Sequence, residues 1–171
     1  MASMNSRDTA SPPVDPGDLA AVPIETLLPH RGTMLLLERV SAFASDAVTA
    51  WAQVKSDAWY ADANGAMPAW IGIELMAQAI AAHVCLASLS LGEPPKPGVL
   101  LGTRRYEAHL PAFASGAQLR IDAHEVLRDQ EAGYGAYECT ISCEGMPYAE
   151  AVVKAFQPAD FRSFIEKGLN S

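Results

Sequence analysis

The sequence predicts an α+β fold in which an antiparallel sheet curls around one buried helix, and three observations carry that expectation. The stretch from Ala66 to Leu91 is apolar on every side, with strongly polar residues only at Glu74, Gln78 and His83. A helix without a polar face belongs inside a fold. After it come four segments that read as strands separated by turn residues. Glu144-Gly145 marks a tight hairpin between the last two, and consecutive hairpin-linked strands build antiparallel sheets that need a helix to cover one face.

Taken in order, the first 22 residues are rich in Ser, Pro, Asp and Ala and lack the apolar core of a signal peptide, so they are expected as a flexible tail. Residues 23–171 form a single domain. Ile24 to Leu28 reads as a short helical turn ending at Pro29-His30-Arg31-Gly32, and Met34 to Val40 as a strand. Ala47 to Lys55 alternates, with Val48, Ala50, Ala52 and Val54 on one face. The long helix opens at Pro68, where a missing N–H costs nothing. A Gly- and Pro-rich loop from Gly92 to Gly98 ends it. Strands are then expected at Val99 to His109, Gln118 to Arg128, Gly133 to Cys143 and Pro147 to Gln157, and a last helical segment from Ala159 to Lys167.

Composition narrows the function. A chain of 171 residues with 50% apolar and 19% charged content supports one domain with a proper core. A net charge of −8 and a pI near 4.9 argue against a nucleic-acid partner, which needs a basic face. Cys139 and Cys143 lie on one expected strand, about 13 Å apart at roughly 3.3 Å per residue, too far for a disulfide. Three cysteines make no disulfide framework, and a reduced, cytoplasmic setting fits them best. No membrane span is expected from Ala66–Leu91, which is Ala- and Gly-rich, has no basic residue flanking its start, and is needed as the core of the strands around it. The sequence contains no metal-ligand cluster, Gly-rich phosphate loop or Gly-x-Ser-x-Gly elbow, so no metal or cofactor is expected.

The residues that stand out chemically begin the helix. Met67-Pro-Ala-Trp-Ile-Gly-Ile-Glu-Leu-Met-Ala-Gln78 carries one carboxylate, Glu74, with an amide one turn later at Gln78. An unpaired carboxylate in an apolar helix costs several kcal/mol and usually has a task. Free amides behind Pro68 are able to bind an anion. A carboxyl group close to them suggests acyl or thioester chemistry.

Three segments then resemble the hotdog-fold 3-hydroxyacyl-acyl carrier protein dehydratases. Leu28-Pro-His-Arg-Gly-Thr-Met-Leu-Leu-Leu-Glu-Arg-Val40 resembles that family's Leu-Pro-His-Arg opening. MPAWIGIELMAQ resembles its helix start, and Val99-Leu-Leu-Gly-Thr-Arg-Arg-Tyr106 with Pro111 its next strand. The likeness spans Pro23 to Pro158 and is nearest to a divergent branch, the predicted dehydratases of aryl polyene pigment synthesis. It implies a curved antiparallel sheet wrapped around one long helix. It also implies removal of water from a 3-hydroxyacyl thioester on an acyl carrier protein, with Glu74 as the helix acid and amides near Ala69 and Trp70 holding the enolate oxygen.

One departure shapes the expectation. The family's catalytic histidine falls seven residues before Met67, and here that residue is Tyr60. Tyr60 and Asp62 are therefore the candidate replacements for the base, although an Asp in such a loop is more often a loop-former than a base. Family dimers build each site from both subunits, so a heterodimer with a histidine-bearing homologue, or a homodimer, is implied. Met67, Trp70 and Ile71 are candidates both for an acyl-chain lining and for core. His30 is read as structural, as is its family counterpart, and His83, nine residues beyond Glu74 at about 100° each, as a histidine on the opposite, solvent-edge side of the helix. His109 and His124 are read as surface residues. Two alternatives share the fold: a thioesterase in which Asp62 or Glu74 activates water, and a catalytically silent acyl-binding subunit.

Overall fold

The computed structural model of the chain describes residues 22–95, 97–129, 131–158 and 160–169. The expected N-terminal tail lies outside these residues except for Val22. The chain begins with helix α1 (Ile24–Leu27) and a 3-10 turn (Gly32–Met34). Strands β1 (Arg39–Ala44), β2 (Ala47–Gln53) and the two-residue β3 (Met67–Pro68) follow. A second 3-10 turn (Ala69–Ile71) leads into helix α2 (Gly72–Ser90). Then come β4 (Val99–Ala108), β5 (Ala112–Phe113), β6 (Gln118–Asp129), β7 (Tyr134–Cys143), β8 (Met146–Phe156) and helix α3 (Phe161–Leu169).

Six strands form one antiparallel sheet in the order β1-β2-β6-β7-β8-β4, and β3 pairs with β5 beside it. The sheet wraps α2. Val48, Ala50 and Ala52 of β2 are fully covered, as the alternation of that segment predicts. They meet a helix surface of Leu75, Met76, Ala79, Ala82 and Leu86, none of them measurably exposed. Small side chains on both surfaces let the helix lie close to the strands. Each larger aliphatic side chain buried there contributes about 1.5–3 kcal/mol. The membrane question resolves by burial: α2 is long and apolar enough to cross a bilayer, but it is the core helix. The β7–β8 hairpin turns at Glu144 and Gly145, both with positive φ (50° and 81°), the pair of left-handed residues that a two-residue hairpin of type I′ requires.

Three expectations are corrected. Met34 to Val40 is not a strand; only Arg39 onward joins the ladder, because the amides of Leu36 and Leu37 turn inward to the carboxamide oxygen of Gln78 at 3.0 and 3.4 Å. Pro68 does not open the long helix. Met67-Pro68 is held as a strand against Ala112-Phe113, and α2 begins only at Gly72. His83 is not at a solvent edge but fully buried, because the helix face opposite Glu74 is the one turned toward the sheet, against Phe43 and Ala44 of β1 and Tyr137 of β7. Its Nδ1 lies 3.0 Å from the Tyr137 hydroxyl and its Nε2 3.2 Å from the Ala44 carbonyl. The C-terminal helix runs two residues later than expected. His109 and His124 are surface residues, beside Glu150 (3.9 Å) and Asp46 (3.2 Å).

Candidate active site

Glu74 stands in the first turn of α2, where a carboxylate is favoured by the free amides and the helix dipole. Gln78, one turn later and fully buried, donates from Nε2 to Glu74 Oε1 at 2.8 Å. The same carboxamide donates to the Met34 carbonyl at 2.8 Å and accepts the Leu36 and Leu37 amides. The chain between the first 3-10 turn and β1 is thus stitched to the helix by one side chain. Its other consequence is to carry His30 to the acid. His30 Nε2 lies 3.4 Å from Glu74 Oε1, with the two side chains 29% and 34% exposed. Acid, amide and imidazole form a partly open cluster at the rim of the core.

The turn before α2 is fastened from below. Ala69 N–H donates to the Pro111 carbonyl at 3.0 Å, so this amide is not free for an oxyanion, contrary to the expectation for Ala69. The first two amides of a 3-10 turn have no carbonyl one turn back. With Ala69 engaged, Trp70 is the one of the two whose amide makes no backbone bond outside the turn among the described residues. The Ala69 carbonyl, part of the same peptide group as that amide, accepts the Tyr106 hydroxyl and the Gly72 N–H. Burial pushes the Tyr106 phenol up to about 12, so the hydroxyl stays a donor across the ordinary pH range.

The remaining candidates divide. Met67 and Ile71 are core, 1% and 2% exposed, whereas Trp70, four residues before the acid in sequence, is 65% exposed. The Tyr60 ring is buried, and its hydroxyl accepts the Lys55 amide at 3.0 Å. Asp62 Oδ1 accepts the amides of Asn64 (2.8 Å) and Ala66 (3.0 Å), closing its own turn. Among the described residues no hydrogen bond or ion pair joins Tyr60 or Asp62 to Glu74. Sequence reasoning set His30 aside, and the Leu-Pro-His-Arg segment was the only signal for it; its distance from Glu74 arises from forty-odd residues of intervening chain. No group of three or more His, Cys, Asp or Glu able to hold a metal is found among the described residues.

An antiparallel sheet wound around one long central helix, with a carboxylate at the start of that helix, defines a hotdog-fold protein. The likeness to solved structures agrees. One chain of the dehydratase heterocomplex ApeI:P from Xenorhabdus doucetiae is 30% identical, with a TM-score of 0.78 over 85% of this chain and 96% of that one. The phenylacetic acid degradation protein PaaI of Thermus thermophilus shares the fold at 23% identity and a TM-score of 0.54, over 72% of this chain and 95% of its own. A hypothetical thioesterase of Streptococcus pneumoniae, solved with coenzyme A, does so at 15% identity and 0.56, over 70% and 84%. No curated protein matches the chain. The chain belongs to the ApeP-like family, whose model, described as ApeP dehydratase, matches residues 22–166.

Proposed function

We propose that this chain supplies the acid half of a composite dehydratase site acting on a 3-hydroxyacyl group held as a thioester on an acyl carrier protein. The observation that carries the reading is the Glu74 carboxylate, one-third exposed at the helix start and held, among the described residues, through Oε1 alone. In the reaction a base removes the α-proton and the electron pair forms the Cα–Cβ double bond. The β-hydroxyl then leaves with a proton from Glu74 as water. The Trp70 amide faces the thioester oxygen as negative charge builds on it.

The base comes from a second subunit, a related dehydratase bearing the family histidine. Two features of this chain support that assignment: Tyr60 stands in the histidine's slot with its hydroxyl engaged by Lys55, and Asp62 is closed on its own turn. The same engagement of Asp62 weakens the hydrolytic alternative. A dehydratase heterocomplex is also what the 30% identical neighbour is. Strand β4 at the sheet edge exposes Leu100 and Leu101, 43% and 53%, an apolar edge suited to a second sheet. Three buried, unpaired cysteines support a cytoplasmic location.

The test is intact-mass spectrometry of a 3-hydroxyacyl-acyl carrier protein incubated with this chain alone, with its coexpressed histidine-bearing partner, and with the complex carrying Glu74→Gln. Loss of one water by the wild-type complex only is the expected result. Water loss by the isolated chain would overturn the composite site, and full activity of the Glu74→Gln complex would overturn the role of the acid.

A further inference from the structure

We propose that His30 is a positioning residue for Glu74, a donor that turns the carboxyl group so that Oε2 delivers the proton. The inference rests on the reading of Glu74 as the acid and adds to it the group that aims it.

Both neighbours of the carboxylate address the same atom. Gln78 Nε2 is 2.8 Å from Oε1 and His30 Nε2 is 3.4 Å from it, while among the described residues no hydrogen bond or ion pair takes Oε2. Two donors on one oxygen leave the proton of the acid form on the other. The contact of His30 is long for a hydrogen bond, as catalytic contacts in unliganded sites commonly are before substrate tightens them.

The imidazole's other nitrogen decides its role. His30 Nδ1 is buried and has no hydrogen-bond partner among the described residues. A stranded N–H is rarer and costlier in a protein interior than a stranded lone pair. The proton of the neutral ring therefore sits on Nε2, toward Glu74, and Nε2 has no lone pair to offer an α-proton. A histidine acting as base needs the opposite tautomer with Nδ1–H held by an acceptor, which this residue lacks. His30 so placed cannot replace the histidine missing at position 60.

The backbone around His30 is fixed rather than loose. Arg31 Nη1 donates to the carbonyls of Leu28 (2.6 Å) and His30 (2.7 Å), and the Met34 amide returns to the Arg31 carbonyl at 3.2 Å. Gly32, at φ 56°, makes the reversal between them. Gln78 ties the far end of the same segment to α2 through Met34, Leu36 and Leu37. The two donors on Oε1 thus belong to one clamped unit, and misplacing a reacting group by about 1 Å costs on the order of 100-fold in rate.

The experiment uses the full chain in complex with its histidine-bearing partner and compares wild type, His30→Ala, His30→Gln, Glu74→Gln and the His30→Ala/Glu74→Gln pair. His30→Ala should lower kcat for water loss by about 10- to 100-fold with KM changed less than about twofold. His30→Gln, whose amide reaches the same oxygen, should recover part of the loss. The double variant should be no slower than Glu74→Gln. Nitrogen-15 NMR of labelled imidazole at high pH should find His30 in the Nε2–H tautomer. An unchanged kcat in His30→Ala, a further loss in the double variant, or an Nδ1–H tautomer would each overturn the proposal. If Glu74→Gln is harmless the reading of the acid fails; if it is crippling while His30→Ala is harmless, the failure belongs to His30 alone.

Discussion

The hydroxyl of Tyr106, on β4, occupies the space that a β-carbon on Gly72, the first residue of α2, would need. A methyl group there would overlap the phenolic oxygen and come within 3.0 Å of Ile141 Cδ1 and 3.2 Å of Tyr106 Cζ. The phenol in turn reaches over the bare glycine to the Ala69 carbonyl. Strand, turn and helix therefore meet at one close contact, two residues from Glu74.

Gly72→Ala should destabilise the protein even though alanine is the better helix former by about 1 kcal/mol. Overpacking a filled core costs about 1–3 kcal/mol, and the glycine here has helical φ and ψ (−55°, −30°), so no backbone strain adds to it. A thermal melt should show a Tm several degrees lower, at roughly 2–4 °C per kcal/mol for a chain of this size. Adding Tyr106→Phe should recover part of that loss by removing the overlapping oxygen. A Gly72→Ala protein as stable as wild type would show that the contact relaxes freely.

Gln78→Leu preserves volume but strands the Leu36 and Leu37 amides and the Met34 carbonyl. Each group left unpaired in the interior costs about 1–3 kcal/mol. The variant should lose both stability and dehydration activity, since the segment bearing His30 comes loose together with the acid's main donor. Chemical denaturation and the water-loss assay read the two effects; a stable and active Gln78→Leu would deny that this amide clamps the segment.

His83 makes stability depend on pH. Burial lowers its pKa below the ordinary 6.5, outweighing the Ala44 carbonyl and the Glu125 and Asp46 charges that raise it. The folded chain therefore binds fewer protons here than the unfolded chain as the pH falls below 6.5. The stability linked to the neutral ring is fully present above pH 6.5 and is lost as pH drops through the folded-state value. In urea unfolding, the stability difference between wild type and His83→Met should be constant above about pH 7 and shrink below 6.5. A difference that grows on acidification would mean that the Tyr137–Glu125 side of the ring holds it charged.

Asp62→Asn keeps the side-chain oxygen that accepts the Asn64 and Ala66 amides while removing the charge. The turn should survive, and dehydration by the complex should stay within about twofold of wild type, as for a residue outside the reacting groups. A loss of about 100-fold, the scale of a missing general base, would instead place Asp62 in the chemistry.

Much of this arrangement was legible beforehand. The alternation of Val48, Ala50 and Ala52 and the apolar length around Leu75 and Leu86 express burial, which repeats with the geometry of strand and helix. Glu144-Gly145 declared its hairpin because few residue pairs tolerate positive φ. Met34 to Leu37 misled because three leucines look alike whether a strand ladder or a buried glutamine receives their amides. His83 misled because a helix wheel shows which residues share a face but not which face the sheet covers, and the face opposite Glu74 is the inner one.

The sequence by itself determined the helix-in-sheet architecture, the family and the carboxylate at residue 74, since these depend on local periodicity and on short contiguous motifs. Only the tertiary structure decided that His30 meets Glu74, that Tyr60 and Asp62 are spent on their own neighbours, and that the Ala69 amide is already bonded. The first and last are distances between segments remote in the chain, drawn together through Gln78 and Tyr106, and the turn contacts of Tyr60 and Asp62 depend on how the loop between β2 and β3 closes, which no pattern of residue types encodes.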